Sequence, residues 1–502
     1  MDSVEEQPSV KVEKTASNLK EKPDSYIKGM ILSTAVLILF TCANNSSIPL
    51  FTQYIHSRYE DMYSNGTHSS STNDQSPCHG NASVEDNDVE VRVQQSTSSE
   101  ILKLSLCFQL PPVFVNMVVG SYSDHIGRKM LFLLPMLGCT CKYIGFLVVV
   151  KFNLNLNFLL IGTLLEGFSG SIFTFILANM AYAADVTKTH ATRTFAIVIT
   201  DCSVSVAMAL GQIMTGFLIQ KLDYFYPSVI HTTLILLAIA IVIFGITETV
   251  KEKEVKELSP VVHLKKVFGF YVNKSRDNKR FIFIVCVIVF ALLSIGLSGK
   301  TTIEILYQLG RPFCWNPVKI GYYGAYSTVF MTVSGIVAIK LGSKCVRVEV
   351  IAVIGMFLLV ASLILEGLAR TDAMLYSVPF VASINSVAFP VTRSVLSRMV
   401  EAHEQGAIFS SMATIDTLSA AIGSTGFASL YRATAGTMRG MAFHVIGAVI
   451  FIAAILKMLV IVKLPRQPSY EQILSPPEDE KDPNLNQNHY GTFAKGENNT
   501  SC

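Results

Sequence analysis

Runs of mostly apolar residues, each about 20 residues long, recur along this chain and constrain its fold more than any other feature. One such run crosses the roughly 30 Å hydrocarbon core of a bilayer as a single helix. A polar stretch at 248–280 separates an earlier group of six runs from a later group of six. The sequence therefore predicts an all-α membrane protein with two six-helix bundles. The predicted helices are 28–50, 100–121, 130–150, 157–182, 194–219, 227–247, 281–305, 318–341, 349–369, 373–396, 406–430 and 441–463.

The composition excludes several other classes of protein. Half of the 502 residues are hydrophobic and only 15% are charged, which would leave a water-soluble fold with apolar surface in contact with water. The net charge of +3 is small and the basic residues lie in short loops, so no nucleic-acid partner is expected. The sequence has no nucleotide-binding loop, nucleophile elbow or metal-ligand motif. We therefore expect neither an enzyme nor a bound cofactor or metal.

Basic residues in the loops predict the orientation of the chain. Arg128, the stretch 248–280 and Lys463 all fall on one side of the predicted helices, which is the cytoplasmic side by the positive-inside rule. Both termini are then cytoplasmic. The predicted layout is a tail at 1–27, bundles at 28–247 and 281–464, a cytoplasmic linker at 248–280 and a second tail at 465–502.

The opposite side is marked by a long loop at 51–99, rich in Ser, Thr and Asn, with expected N-glycosylation at Asn65 and Asn81. Eight of the ten cysteines lie in predicted helices or at cytoplasmic positions, where thiols stay reduced. Cys78 and Cys314 remain, in the loops after the first and seventh helices. They either form a disulfide that ties the two bundles together or stay as free thiols.

The loop between the second and third helices carries a motif with a mechanical role. Gly120 and Gly127 permit a tight turn, and Asp124 can accept hydrogen bonds from neighbouring helix ends. Arg128 and Lys129 can bridge to the other bundle and so favour one conformation. A motif this short can arise by chance in any loop. At this position of a protein with six helices, a loop and six more helices, it resembles the signature loop of the major facilitator superfamily.

Four further segments narrow the resemblance. Residues 306–316, 320–324, 393–398 and 404–409 resemble the proton-coupled folate transporter family, solute carrier family 46. The likeness runs from the first helix to the last and leaves out both tails and much of the first outer loop. It implies a two-bundle secondary transporter, and Cys78 with Cys314 fits the outer disulfide of that family.

Matches and departures within this resemblance bear on the substrate. Asp201 falls where the family has an acidic residue in helix five, and Arg393 matches its helix-ten arginine. Leu297 stands where the folate carrier has a proton-linked histidine, and Ser171 where it has an aspartate. Asp416 looks more like the acidic position of the lysosomal members. These departures argue against folate itself, and the resemblance implies either a folate-like anion or a lysosomal catabolite as the substrate.

Ionisable residues inside predicted helices are candidates for function, because a charge at mid-membrane is costly without a partner or a wet cavity. Asp201 can be a proton site, or it can belong to a permanent ion pair. Asp416 has no local partner and is a second proton candidate. Arg393 offers a planar fork to a carboxylate on a substrate or on the protein, although its side chain can instead extend toward the cytoplasmic surface.

Three more charges have plainer explanations as well. Lys300 and Glu304 are four residues apart on one helix face, so they can belong to the proton and substrate site or simply neutralise each other. Lys142, in the third helix, is expected to pair with an acidic neighbour.

Together these features predict a secondary active transporter that moves a small organic anion with protons by alternating access. Its expected partners are the small-molecule substrate, protons and the lipid bilayer. The alternative is a non-transporting receptor or scaffold on the same fold. Tyr470 and Ile473 fit a sorting signal read by adaptors, a pattern that also occurs by chance. We expect a multi-pass protein of the lysosomal, endosomal or plasma membrane.

Overall fold

The computed structural model of the chain describes residues 23–63, 84–186, 190–249, 277–398 and 405–463. All regular structure in these ranges is helical. The first half contains α1 (Pro23–Tyr63), α2 (Val84–Ile126), α3 (Arg128–Phe152), α4 (Leu159–Phe168), α5 (Ser171–Val186), α6 (His190–Leu222) and α7 (Phe225–Phe244). The second half contains α8 (Asp277–Leu309), α9 (Pro317–Gly342), α10 (Val348–Leu368), α11 (Asp372–Val381), α12 (Ala388–Arg398), α13 (Gln405–Thr434) and α14 (Met441–Lys463).

Two of the predicted helices are broken in the middle. α4 and α5 are separated at Ser169 and Gly170, and Gly170 and the first residue of α5, Ser171, have φ values of 84° and 57°. α11 and α12 form a pair bent by 41° around a short 3₁₀ turn at Asn385–Val387. When each broken pair counts as one segment, the described helices follow the predicted order of six and six.

Not every helix is equally apolar. Within the described ranges, nine segments are long and apolar enough to cross a membrane, or ten with the bent pair α11 and α12. α2 and α13 are not among them. These two helices pack against each other across the two halves. Their contact includes hydrogen bonds from Gln109 to Ser424 and from Asn116 to Thr417, and these polar positions lower their hydropathy.

Each half has its own hydrophobic core. In the first half, the core includes the fully buried rings of Phe132, Phe146 and Phe175. In the second half, it includes Phe290 and Phe443. Other large apolar side chains are exposed on the outside of the bundles, where lipid would surround them: Phe114, Phe244, Phe380 and Leu459.

The first outer loop is shorter than predicted. α1 continues to Tyr63 and α2 already begins at Val84, so both ends of the predicted loop 51–99 are helical. The extensions hold each other, since the Tyr59 hydroxyl donates to Glu100 Oε1 at 2.9 Å. The two ends of the predicted loop are therefore helical, and the polar faces of α1 and α2 contact each other there. Asn65, Asn81 and Cys78 lie outside the described residues, as do Tyr470 and Ile473.

The two halves also approach closely along α6 and α9. A Cβ added to Gly216 would lie 2.5 Å from the Pro317 carbonyl oxygen, and one added to Gly321 would lie 2.6 Å from that of Gln212. Glycine is needed at both positions because any side chain would push the two backbones apart.

Candidate functional site

The second half brings two of the predicted site residues together near its boundary with the first half. Arg393 of α12 and Asp416 of α13 form an ion pair, with Nη2 and Oδ2 3.7 Å apart. Ser294 of α8 donates its hydroxyl to Asp416 Oδ1 at 2.6 Å. Three helices of the second half therefore meet at one carboxylate. We refer to Arg393, Asp416 and Ser294 as the central site.

Aromatic rings surround the arginine of the central site. The guanidinium carbon lies 5.8 Å from the ring centroid of Phe290 and 5.3 Å from that of Phe389. The two rings are 4.5 Å apart, so the cation lies beside a continuous apolar surface. The Arg393 side chain is 41% exposed and that of Asp416 is 15% exposed. The arginine can therefore reach a ligand while it stays close to its protein partner.

The central site adjoins a contact between the halves. Thr417, the residue after Asp416, accepts a hydrogen bond from Asn116 of α2 at 3.4 Å. Asn116 in turn accepts one from Thr174 of α5 at 2.7 Å. A change in the relative position of the halves would therefore displace groups next to the Asp416 carboxylate. Asp201 is helical within α6, but its side chain lies outside the described residues.

Lys300 and Glu304 are paired, as their spacing predicts, with Nζ and Oε1 2.5 Å apart. A third member, Glu366 of α10, was missed by sequence reasoning. Its Oε2 lies 3.4 Å from the same ammonium, and its side chain is 0% exposed. The Tyr323 hydroxyl of α9 faces both carboxylates. We refer to Lys300, Glu304 and Glu366 as the acidic triad.

Lys142 has the acidic neighbour that was expected. Its ammonium lies 2.8 Å from Glu166 Oε2, and both side chains are buried, at 4% and 1% exposed. Asn44 and Ser47 of α1 accept further hydrogen bonds from the ammonium at 3.3 and 3.1 Å. Sequence reasoning missed Glu166, which lies in an apolar run without a charged residue nearby. Three helices of the first half are joined by this neutral pair.

The loop motif has contacts within the first half. Arg128 Nε donates to Asp185 Oδ2 at 2.7 Å, and the backbone N–H groups of Arg128 and Lys129 donate to Glu248 at 2.7 and 3.1 Å. Gly127 has a φ of 92°, and a Cβ there would lie 2.8 Å from Glu248 Oε2. Only glycine suits such a conformation and such an approach.

The contacts of Arg128 and Lys129 described above lie within the first half, and the bridge to the other half stays a prediction. The carboxylate of Glu248 lies at the N-terminus of α3, where unpaired backbone N–H groups attract an anion, and Asp185 lies in the last turn of α5. Gly120 and Asp124 belong to the stretch 117–126, whose side chains lie outside the described residues.

A cluster of charges joins the halves on the predicted outer side. Glu90 of α2 accepts from the Arg311 backbone N–H at 2.8 Å and from Arg439 Nη1 at 2.5 Å. Arg311 Nε lies 3.1 Å from the other oxygen of Glu90. We refer to Glu90, Arg311 and Arg439 as the outer latch. Sequence reasoning missed it because Glu90 fell in a predicted loop.

The disulfide-bonded and free cysteines agree in part with the prediction. Cys314 is disulfide-bonded, while its predicted partner Cys78 lies outside the described residues. Cys345 is also disulfide-bonded, although it lies on the side where reduced thiols were expected. The free cysteines are in helices, as predicted: Cys42, Cys107, Cys139, Cys141, Cys202 and Cys286.

Comparison with known proteins agrees with this architecture. The family model of the Major Facilitator Superfamily matches residues 30–424. The chain is 27% identical to the lysosomal proton-coupled steroid conjugate and bile acid symporter SLC46A3 of Gallus gallus, over 83% of this chain and 91% of the relative. It is 28% identical to the proton-coupled folate transporter of Bos taurus, over 81% and 87%. The resemblance to solute carrier family 46 is thus confirmed.

Solved structures share the fold at low sequence identity. The human organic anion transporter MFSD10 (TETRAN) matches with a TM-score of 0.55 and 16% identity, over 87% of this chain and 100% of that one. A POT family transporter in complex with 5-aminolevulinic acid matches with a TM-score of 0.58 and 13% identity, over 86% and 95%.

Proposed function

The chain belongs to the Major Facilitator Superfamily, and we propose that it is a proton-coupled symporter of an amphipathic organic anion. It is a multi-pass membrane transporter rather than an enzyme. The observation that carries the proposal is the central site, where a half-exposed arginine pairs with a protein carboxylate beside two aromatic rings.

The pairing suggests how a proton and an anion could travel together. While Asp416 is ionised, it competes with a substrate carboxylate or sulfate for the Arg393 guanidinium. A proton on Asp416 removes this competitor and leaves the guanidinium to an anion, which it can bind through two parallel hydrogen bonds. The Ser294 hydroxyl can hold the carboxyl group in place in either state. Proton and anion are then bound at the same time, as symport requires.

The surroundings of Arg393 favour a substrate with a large apolar body. Phe290 and Phe389 can contact a ring system whose charged end lies on the guanidinium. The relatives named for steroid conjugates and bile acids act on molecules of this kind. Leu297 and Ser171 stand where the folate carrier has a histidine and an aspartate, so this chain lacks two ionisable groups of that carrier. We therefore infer a steroid conjugate or bile acid as the class of substrate.

The outer latch supports alternating access as the mechanism. The described contacts between the halves extend from Glu90 on the predicted outer side to Asn116 beside the central site. With the outer side closed in this way, a bound anion could leave only toward the cytosol. Asp201 remains a second proposed proton carrier in α6. We propose a lysosomal or endosomal membrane, where the lumen is acidic, with sorting adaptors acting on Tyr470 and Ile473.

Uptake of radiolabelled compounds tests this proposal. Cells that carry Tyr470→Ala, intended to raise the amount at the plasma membrane, would be given a labelled steroid sulfate, a labelled bile acid or labelled folate, in acidic and in neutral medium. We expect the two amphipathic anions to be taken up faster in acidic medium and folate to be taken up poorly. Asp416→Asn should remove the acid stimulation. Uptake of all three at the level of untransfected cells would reject transport and favour a receptor or scaffold.

A further inference from the structure

The acidic triad contains one more carboxylate than it has cations. Glu304 and Glu366 share the single ammonium of Lys300, at 2.5 and 3.4 Å. The carboxylate of Glu366 is fully buried, and Lys300 is its only cationic partner within the described part of the chain. With all three groups ionised, the triad would hold a net negative charge away from water, which is costly.

Groups on neighbouring helices do not balance this charge. The Tyr323 hydroxyl of α9 is buried and faces both carboxylates, but it carries no positive charge that could offset theirs. The Tyr307 hydroxyl donates to the backbone carbonyl oxygens of Glu366 and Ala369. From α14, His444 lies against Gly367, and its Nδ1 is 2.8 Å from the Gly440 carbonyl oxygen.

Arg370, four residues after Glu366 along the chain, is exposed. The arginines of the outer latch, Arg311 and Arg439, are both engaged by Glu90. They therefore leave the triad with Lys300 as its only paired cation among the described side chains.

We propose that Glu304 and Glu366 together bind one transported proton, with Lys300 holding the two carboxylates in place. This rests on the proposed function and adds a proton site outside the central site. One proton on either carboxylate makes the triad neutral, and it can form the hydrogen bond between them that the ionised pair lacks. In the step itself, a carboxylate oxygen takes up a proton from a hydronium ion, which leaves water, and later returns the proton to water as hydronium, so no other reactant is needed.

The two carboxylates of the triad differ in their exposure to solvent. Glu304 is 19% exposed, whereas Glu366 is fully buried. Glu304 also lies seven residues before Arg311 of the outer latch, near the end of α8 at Leu309. A proton can therefore enter through Glu304 from the predicted outer side when the latch opens, and Glu366 can hold it after the latch closes. Such a site suits a carrier that loads protons from an acidic lumen.

Infrared difference spectroscopy on the purified full-length protein tests proton binding without any substrate. A titration from neutral to acidic pH should give the carbonyl stretch of a buried carboxylic acid in the wild type. We expect this band to be lost in both Glu366→Gln and Glu304→Gln and kept in Asp416→Asn at its own frequency. Wild-type protein without the band, or Glu366→Gln with the same band, would overturn the proposal.

Transport assays in proteoliposomes then test coupling, with the labelled steroid sulfate and bile acid as probes. Glu366→Gln should retain exchange of labelled for unlabelled anion at equal pH on both sides, while the ratio of uptake with and without a proton gradient falls to about one. If Glu366→Gln has the same ratio of uptake with and without a proton gradient as the wild type, the role of Glu366 in coupling is overturned. A wild type that exchanges neither probe would overturn the proposed function instead, and the infrared band would still decide whether the proton site exists.

Discussion

Each half of the molecule buries a lysine with glutamate, but the two sites differ in balance. In the first half, Lys142 and Glu166 are matched one to one, and Asn44 and Ser47 satisfy the remaining hydrogens of the ammonium. In the second half, Lys300 is shared by two carboxylates, those of Glu304 and Glu366. A pair with balanced charge joins helices. A buried site with more carboxylates than cations can bind and release a proton.

The largest difference should appear when the balanced pair is broken. Glu166→Gln leaves the ammonium of Lys142 buried without its counter-ion, which should lower the free energy of unfolding by about 3–5 kcal/mol. Thermal unfolding of the purified protein measures the effect. The double variant Lys142→Met with Glu166→Met should recover much of the loss, because no buried charge is left. A stable single variant would mean that the pair does not join the helices of the first half.

Arg393 tests a third kind of ion pair, which is open to a ligand. Arg393→Lys keeps the charge but loses the planar fork, so KM for the amphipathic anion should rise about tenfold, which corresponds to about 1.4 kcal/mol. Initial uptake rates over a range of substrate concentrations measure it. Thermal stability should change little, in contrast to Glu166→Gln. An unchanged KM would show that the guanidinium contacts only Asp416.

The outer latch should respond in conformation rather than in folding. Glu90→Gln removes the anion shared by Arg311 and Arg439, which should shift the equilibrium toward the state open to the outside by about 1 kcal/mol. In this background, a cysteine at Ser98 should react several times faster with a membrane-impermeant thiol reagent than it does beside native Glu90. Equal reaction rates would show that the latch does not control opening.

The smallest effect on folding should come from the excess carboxylate. Glu366→Gln leaves Lys300 and Glu304 as a matched pair, so the free energy of unfolding should change by less than about 1 kcal/mol or rise slightly. Thermal unfolding, run beside Glu166→Gln, sharpens the comparison between the two halves. A loss as large as that of Glu166→Gln would make the triad another site that joins helices.

Local sequence accounts for much of this structure. The apolar runs predicted the helices and their division into two groups, and the spacing of Lys300 and Glu304 predicted their pairing. The tertiary partners were not predictable in this way. Glu166 and Glu366 meet their lysines from other helices, and a single sequence holds no signal for which helix faces another.

The same limit explains the errors. Glu90 lies in a polar segment that reads as a loop, yet it is helical and meets arginines far along the chain. Asp185 and Glu248 were not predicted as partners of Arg128, because they lie on segments far from it along the chain. Charge and spacing identified the candidate residues, but the packing of the helices determines which residue each of them contacts.

One consequence follows from the sharing of Glu90 by two arginines. If the halves separate on the outer side, Glu90 leaves with the first half, and Arg311 and Arg439 stay behind on the second. The entrance would then gain a pair of uncompensated guanidinium groups at the moment it admits solute. Their positive potential would attract anions to that side and repel cations, so the entrance itself would begin to select the cargo.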